Sequence, residues 1–170
     1  FAGHGLASDD GKKMFLLPYD GRPELLEDTA ILRDRLFSDI QKSKARSVTV
    51  FLDTCYSGAS RKGDMLLASA RGLVTVEDAQ VSIPQNFTIF SAAQGNQIAS
   101  SLDAVQHGLF SYYTMMGLEG GADFDKNKKI TTLELAQYIE KNVRENAIKM
   151  GREQIPMMHG MENLVINNVK

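Results

Sequence analysis

The chain has 170 residues, 43% of them apolar and 24% charged, with a formal net charge of −2. That length encloses one substantial core and predicts a single domain over residues 1–170. The balanced charge removes any electrostatic reason to expect a nucleic-acid partner, and no run approaches the roughly 20 apolar residues of a membrane span.

The opening residues, Phe1-Ala2-Gly3-His4-Gly5, carry no initiator methionine and no signal-peptide character. They read as the end of a strand entered partway, so the sequence is expected to be a fragment or a processed product. Lys13 to Leu17 is a short apolar run closed by Pro18 and the Asp20-Gly21 turn signal, and it predicts a strand. From about Asp28 to Lys42, the residues Ile31, Leu32, Leu36, Phe37 and Ile40 follow helical spacing. Val48 to Leu52 is a run of five β-formers, the pattern of a buried parallel strand.

Residues 59–86 are irregular, with at most a short helix near Met65 to Ala70, and Pro84 closes them. Phe87 to Phe90 predicts a second buried strand, ending at Ser91-Ala92-Ala93. Helices are expected at about Gly108–Leu118 and Thr132–Ile148, and a last strand at Asn163–Ile166. Strands alternating with helices predict an α/β fold with a mainly parallel sheet flanked by helices. The eight methionines read as core filler.

Open α/β sheets collect their active sites at the carboxyl ends of strands. Two candidate reagents sit at such ends, His4 and Cys55, each in a glycine-bearing turn. Flanking glycines let backbone approach a substrate and leave amide N–H groups to point at it. A thiol needs a nearby imidazole to become a thiolate or to protonate a departing amine. Cys55 is the one cysteine of the chain, so an internal disulfide is excluded; a lone thiol suits a reducing, cytoplasmic setting. His107 and His159 lie outside such turns and read as structural.

These blocks resemble the caspase/metacaspase superfamily of peptidases. The resemblance rests on Phe1 to Gly5, Phe51 to Gly58 and Phe90 to Ala93. Two later stretches, His107 to Tyr113 and Gln154 to Gly160, resemble blocks of its bacterial caspase-like members. The likeness implies a caspase-like three-layer α/β sandwich whose first strands, two with a helix before the histidine strand, are missing from this sequence. It therefore implies a sheet edge covered by that segment or by a partner chain. It makes Cys55 the nucleophile and His4 the general acid/base, with the backbone N–H groups of Gly5 and Cys55 as an oxyanion hole. It also places Asp53 and Ser91 in the substrate pocket. Animal caspases carry a small apolar residue two before the cysteine, whereas metacaspases and paracaspases carry an aspartate and accept arginine or lysine. Asp53 therefore implies a peptide or protein substrate with a basic residue before the cut. Ala2 departs from the pattern, since metacaspases often place a pocket serine there. Arg61, Lys62 and Arg71 would make 59–86 a processing loop for an enzyme of this specificity. The rival readings are an inactive caspase-fold scaffold and a separase-like or legumain-like relative.

No cofactor is required by this chemistry. Calcium is raised by Asp123, Asp125, Asn127, Thr131 and Glu134, which fall at positions 1, 3, 5, 9 and 12 of an EF-hand loop. Lys128 stands where that loop wants glycine, and Lys126 and Lys129 add opposing charge. Thr131 and Glu134 equally form a capping box for the next helix, and that reading is preferred. A second calcium site of metacaspases is poorly matched: Asp20 and Asp34 fit parts of it, but Arg35 and Lys62 replace acids.

Overall fold

A computed structural model describes residues 1–54, 83–94, 97–102 and 107–169. The chain opens with an antiparallel meander of β1 (His4–Ala7), β2 (Met14–Leu17) and β3 (Ile31–Leu32). Between β2 and β3 lie a 3₁₀ turn, Pro23–Leu25, and the one-turn helix α1 (Leu26–Thr29). Leu6, Phe15 and Leu26 form a small buried cluster beneath them. The helix expected from residue 28 starts later, as α2 (Arg33–Gln41). Ile31 and Leu32 fit the helical period but are β-branched or apolar residues paired with Leu16 and Phe15, so tertiary pairing overrides the local pattern.

The centre is the parallel pair β4 (Val48–Leu52) and β5 (Phe87–Ser91), in register from Val48 opposite Phe87 to Leu52 opposite Ser91. Two short antiparallel strands, β6 (Ser101–Leu102) and β7 (His107–Gly108), lead into α3 (Leu109–Met116). A wider helical turn, Gly117–Gly121, ends that helix. After it come β8 (Lys129–Thr131), α4 (Thr132–Lys149), β9 (Met157–Gly160) and β10 (Val165–Asn168). β9 adds antiparallel to β5, and β10 pairs antiparallel with β8. The predicted mainly parallel sheet is therefore a mixed one. Among the described residues only β4–β5 and the Ala2–Asp53 bridge are parallel. The last strand is also displaced, from the expected 163–166 to Val165–Asn168.

Side-chain alternation along β4 and β5 feeds two cores. Leu52, Phe87 and Ile89 pack with Phe37 of α2, and Val48 and Val50 join them. Phe90 packs instead with Leu109 and Phe110 of α3 and with Leu135, Ile139 and Val143 of α4; Phe51 joins that side, stacked on Phe90 at 4.9 Å. Val48 to Phe51 are half-buried rather than fully buried. Met14 is buried, but Met115, Met116 and Met150 are exposed, so the methionines are not simply core filler.

One close backbone approach needs glycine, and one tight side-chain contact between helices favours it. At Gly160, φ is +121° and a Cβ would fall 2.1 Å from the Phe87 carbonyl oxygen, so β9 docks on β5 only without a side chain there. At Gly117 a Cβ would meet Leu135 Cδ1 at 2.6 Å, where α3 runs out against α4.

Candidate active site

Residues 1–3 lie alongside the end of β4. The Phe1 nitrogen donates to the Phe51 carbonyl at 2.8 Å, and the Asp53 N–H donates to the Phe1 carbonyl at 2.9 Å. Gly3 then donates its N–H to the Asp53 carbonyl at 3.2 Å. This ladder delivers His4 beside the carboxyl end of β4. His4 is half-buried and opens β1 opposite Leu17, rather than closing a strand as the turn pattern suggests. Gly5, next along β1, is buried opposite Leu16.

Asp53 directly follows β4 and is 2% exposed. Its Oδ2 accepts the Ser111 hydroxyl at 2.5 Å and the Ser111 backbone N–H at 3.3 Å. Ser111 lies in the first turn of α3, whose N-cap, Gly108, has no side chain to offer. A carboxylate from another strand thus takes the place of a capping side chain. Ser91 closes β5, half-buried, beside Leu52 on one flank and Met157 on the other. Ala92 donates its N–H to the Leu52 carbonyl at 2.9 Å, continuing the parallel ladder one step further. His4, Asp53, Ser91 and Ser111 are thereby gathered at the carboxyl end of the parallel pair. Cys55 lies outside the described residues, and so do the predicted short helix at 65–70, the basic residues Arg61, Lys62 and Arg71, and most of 59–86.

Sequence reasoning gave no role to Ser111 or Gln154, although both lie in stretches it singled out. Gln154 is 1% exposed. Its amide nitrogen donates to the Ala92 carbonyl at 2.9 Å and its carbonyl oxygen accepts the Ser100 N–H at 2.8 Å. Gln97 adds a second clasp, accepting the Ile155 N–H at 2.8 Å. These two glutamines hold the segment after β5 against the segment before β9. For Ser111 the signal in sequence was a polar residue inside an otherwise apolar run; Gln154 follows Arg152 and Glu153 and carried none.

Away from this edge, Asp123, Asp125 and Glu134 bring one carboxylate oxygen each within 4.8 Å of one another. The same carboxylates are engaged by the turn itself. Asp123 accepts the N–H groups of Asn127 and Lys128, Asp125 accepts the Asn127 side chain at 2.7 Å, and Glu134 accepts the Thr131 N–H at 2.9 Å. The predicted capping box of α4 is formed. Lys128 adopts φ +63°, the left-handed turn that glycine would favour. His107 and His159 are exposed, on β7 and β9. No helix among the described residues is long and apolar enough to cross a membrane.

The family described as the caspase domain, peptidase C14, matches residues 1–164, and the chain belongs to it. No match was found among curated proteins.

Proposed function

We propose that this chain is a cysteine endopeptidase that cuts after arginine or lysine, with Cys55 as nucleophile and His4 as general acid/base. The observation that carries the specificity is Asp53. Its buried carboxylate stands two residues before the cysteine, and its backbone N–H and carbonyl are hydrogen-bonded into the strand ladder that leads to His4. A carboxylate in a partly dry pocket favours a cationic guest, and a guanidinium can pair with it through two hydrogen bonds. Family membership supports the peptidase class. Packing of α2 on one side of β4–β5, and of α3 and α4 on the other, is consistent with three layers.

In this reading the Cys55 thiolate adds to the scissile carbonyl carbon. The oxyanion that forms takes hydrogen bonds from the Gly5 and Cys55 N–H groups, each such donor typically worth about 10²–10³ in rate. The C–N bond then breaks as His4 gives its proton to the departing amine. Water adds to the thioester as His4 takes its proton, the C–S bond breaks, and the carboxylic acid leaves with the Cys55 thiolate and protonated His4 restored. Ser91 lines the pocket at the end of β5.

A fluorogenic peptide panel differing only in Arg, Lys, Asp or Ala before the cut tests the proposal, with Cys55→Ala as the blank. Arginine and lysine peptides are expected to be cleaved and aspartate rejected. Cleavage of the aspartate or alanine peptide as fast as the arginine one removes Asp53 from the pocket.

A further inference from the structure

We propose that Ser111 is a positioning residue for substrate recognition, acting through Asp53. The inference rests on the reading of Asp53 as the carboxylate that receives arginine or lysine. A buried carboxylate is costly unless hydrogen-bonded, and Ser111 supplies two donors to the same oxygen, Oδ2: its hydroxyl at 2.5 Å and its backbone N–H at 3.3 Å. Hydrogen bonds to a carboxylate are stronger and shorter than neutral ones. The two donors differ in kind. The N–H belongs to the unsatisfied first turn of α3, where the helix dipole favours negative charge. The hydroxyl is the part that sequence can remove.

Binding one oxygen to α3 sets the plane of the Asp53 carboxyl group. A guanidinium is a planar fork, so its pairing with a carboxylate depends on that plane more than pairing with an ammonium does. An acceptor held in place before binding also loses less rotational freedom when the substrate arrives. Ser111 touches no reacting atom in this scheme; it orients the group that meets the substrate side chain. Its loss should therefore weaken arginine peptides more than lysine peptides and spare the chemical steps.

The test uses the full chain and matched arginine, lysine and alanine peptides. Ser111→Ala should raise KM for the arginine peptide about five- to tenfold, the scale of one ordinary net hydrogen bond. The lysine effect should be smaller, and kcat and the iodoacetamide labelling of Cys55 nearly unchanged. Ser111→Thr keeps the hydroxyl and should restore most of the affinity. Adding Ser111→Ala to Asp53→Ala should cost no further affinity, because the serine acts only through the carboxylate. If Ser111→Ala lowers the melting temperature but leaves arginine KM as in wild type, while Asp53→Ala abolishes the arginine preference, the serine only ties α3 to β4 and the inference fails alone. If Asp53→Ala leaves the preference intact, the pocket reading fails and takes this inference with it. Should Ser111→Ala not fold, Ser111→Cys, close in shape with a weaker donor, reads the same KM: a rise for arginine supports the proposal and no change overturns it.

Discussion

The N–H of Gly3 donates to the carbonyl of Asp53, and through this one bond the residue next to His4 is anchored at the end of β4. Two segments far apart in the sequence, one bearing the histidine and the other leading into the cysteine, are thus joined by backbone hydrogen bonds.

The first prediction concerns the reactivity of Cys55. A histidine partner raises the thiolate fraction at neutral pH. His4→Ala should therefore slow iodoacetamide labelling about tenfold or more and lower kcat by about 10²-fold or more, as expected for a lost general acid/base. Equal, slow labelling of wild type and variant would identify an inert thiol.

Asp53 has a second consequence, for stability. Replacing it with alanine leaves the first turn of α3 without its acceptor, because Gly108 has no side chain to substitute. Asp53→Ala should cost about 0.5–2 kcal/mol, the usual loss for a helix cap. Urea unfolding measures it, and a midpoint equal to wild type would show that the carboxylate does not support α3.

Gln154 is expected to be harder to replace. Its amide satisfies the Ala92 carbonyl and the Ser100 N–H in a buried setting. Gln154→Leu fills similar space but abandons both, at about 1–3 kcal/mol for each group left unsatisfied. A variant as stable as wild type in chemical unfolding would mean that water enters and replaces the amide.

The turn before α4 is predicted to be a structural one. Thr131→Ala should cost about 1 kcal/mol as a lost N-cap, equally with calcium or with a chelator. Millimolar calcium should shift the melting temperature no more than magnesium does. A calcium-specific rise that disappears in Asp123→Asn would instead assign the Asp123, Asp125 and Glu134 carboxylates to a bound ion.

Two tyrosines should titrate late. Burial, with nearby Tyr112, holds the phenols of Tyr113 and Tyr138 above the ordinary tyrosine value. A folded state that binds the proton more tightly than the unfolded one loses stability as pH rises past the unfolded value, here on the alkaline side. Phenolate absorbance should therefore show a late fraction that is missing from the Tyr113→Phe/Tyr138→Phe double variant. A single titration common to both proteins would contradict this.

Local pattern alone located Met14–Leu17, Val48–Leu52, Phe87–Ser91 and α4 with its capping box, because strand runs, helical periodicity and caps are determined by neighbours within a few residues. Asp53 and Ser91 were legible as strand-end residues for the same reason: one follows and the other closes a run of β-formers in the chain. What local pattern could not supply was pairing. Ile31 and Leu32 fit a helix until β2 claims them, and Met157 to Gly160 become a strand because Phe87 to Ser91 offer an open edge. Ser111 and Gln154 are ordinary polar residues in sequence. They acquire roles only where Asp53, Ala92 and Ser100, more than fifty residues away along the chain, bury groups that require a hydrogen-bond partner. Hydrogen-bond satisfaction in a buried setting depends on what the fold brings together, so only the tertiary structure decides it.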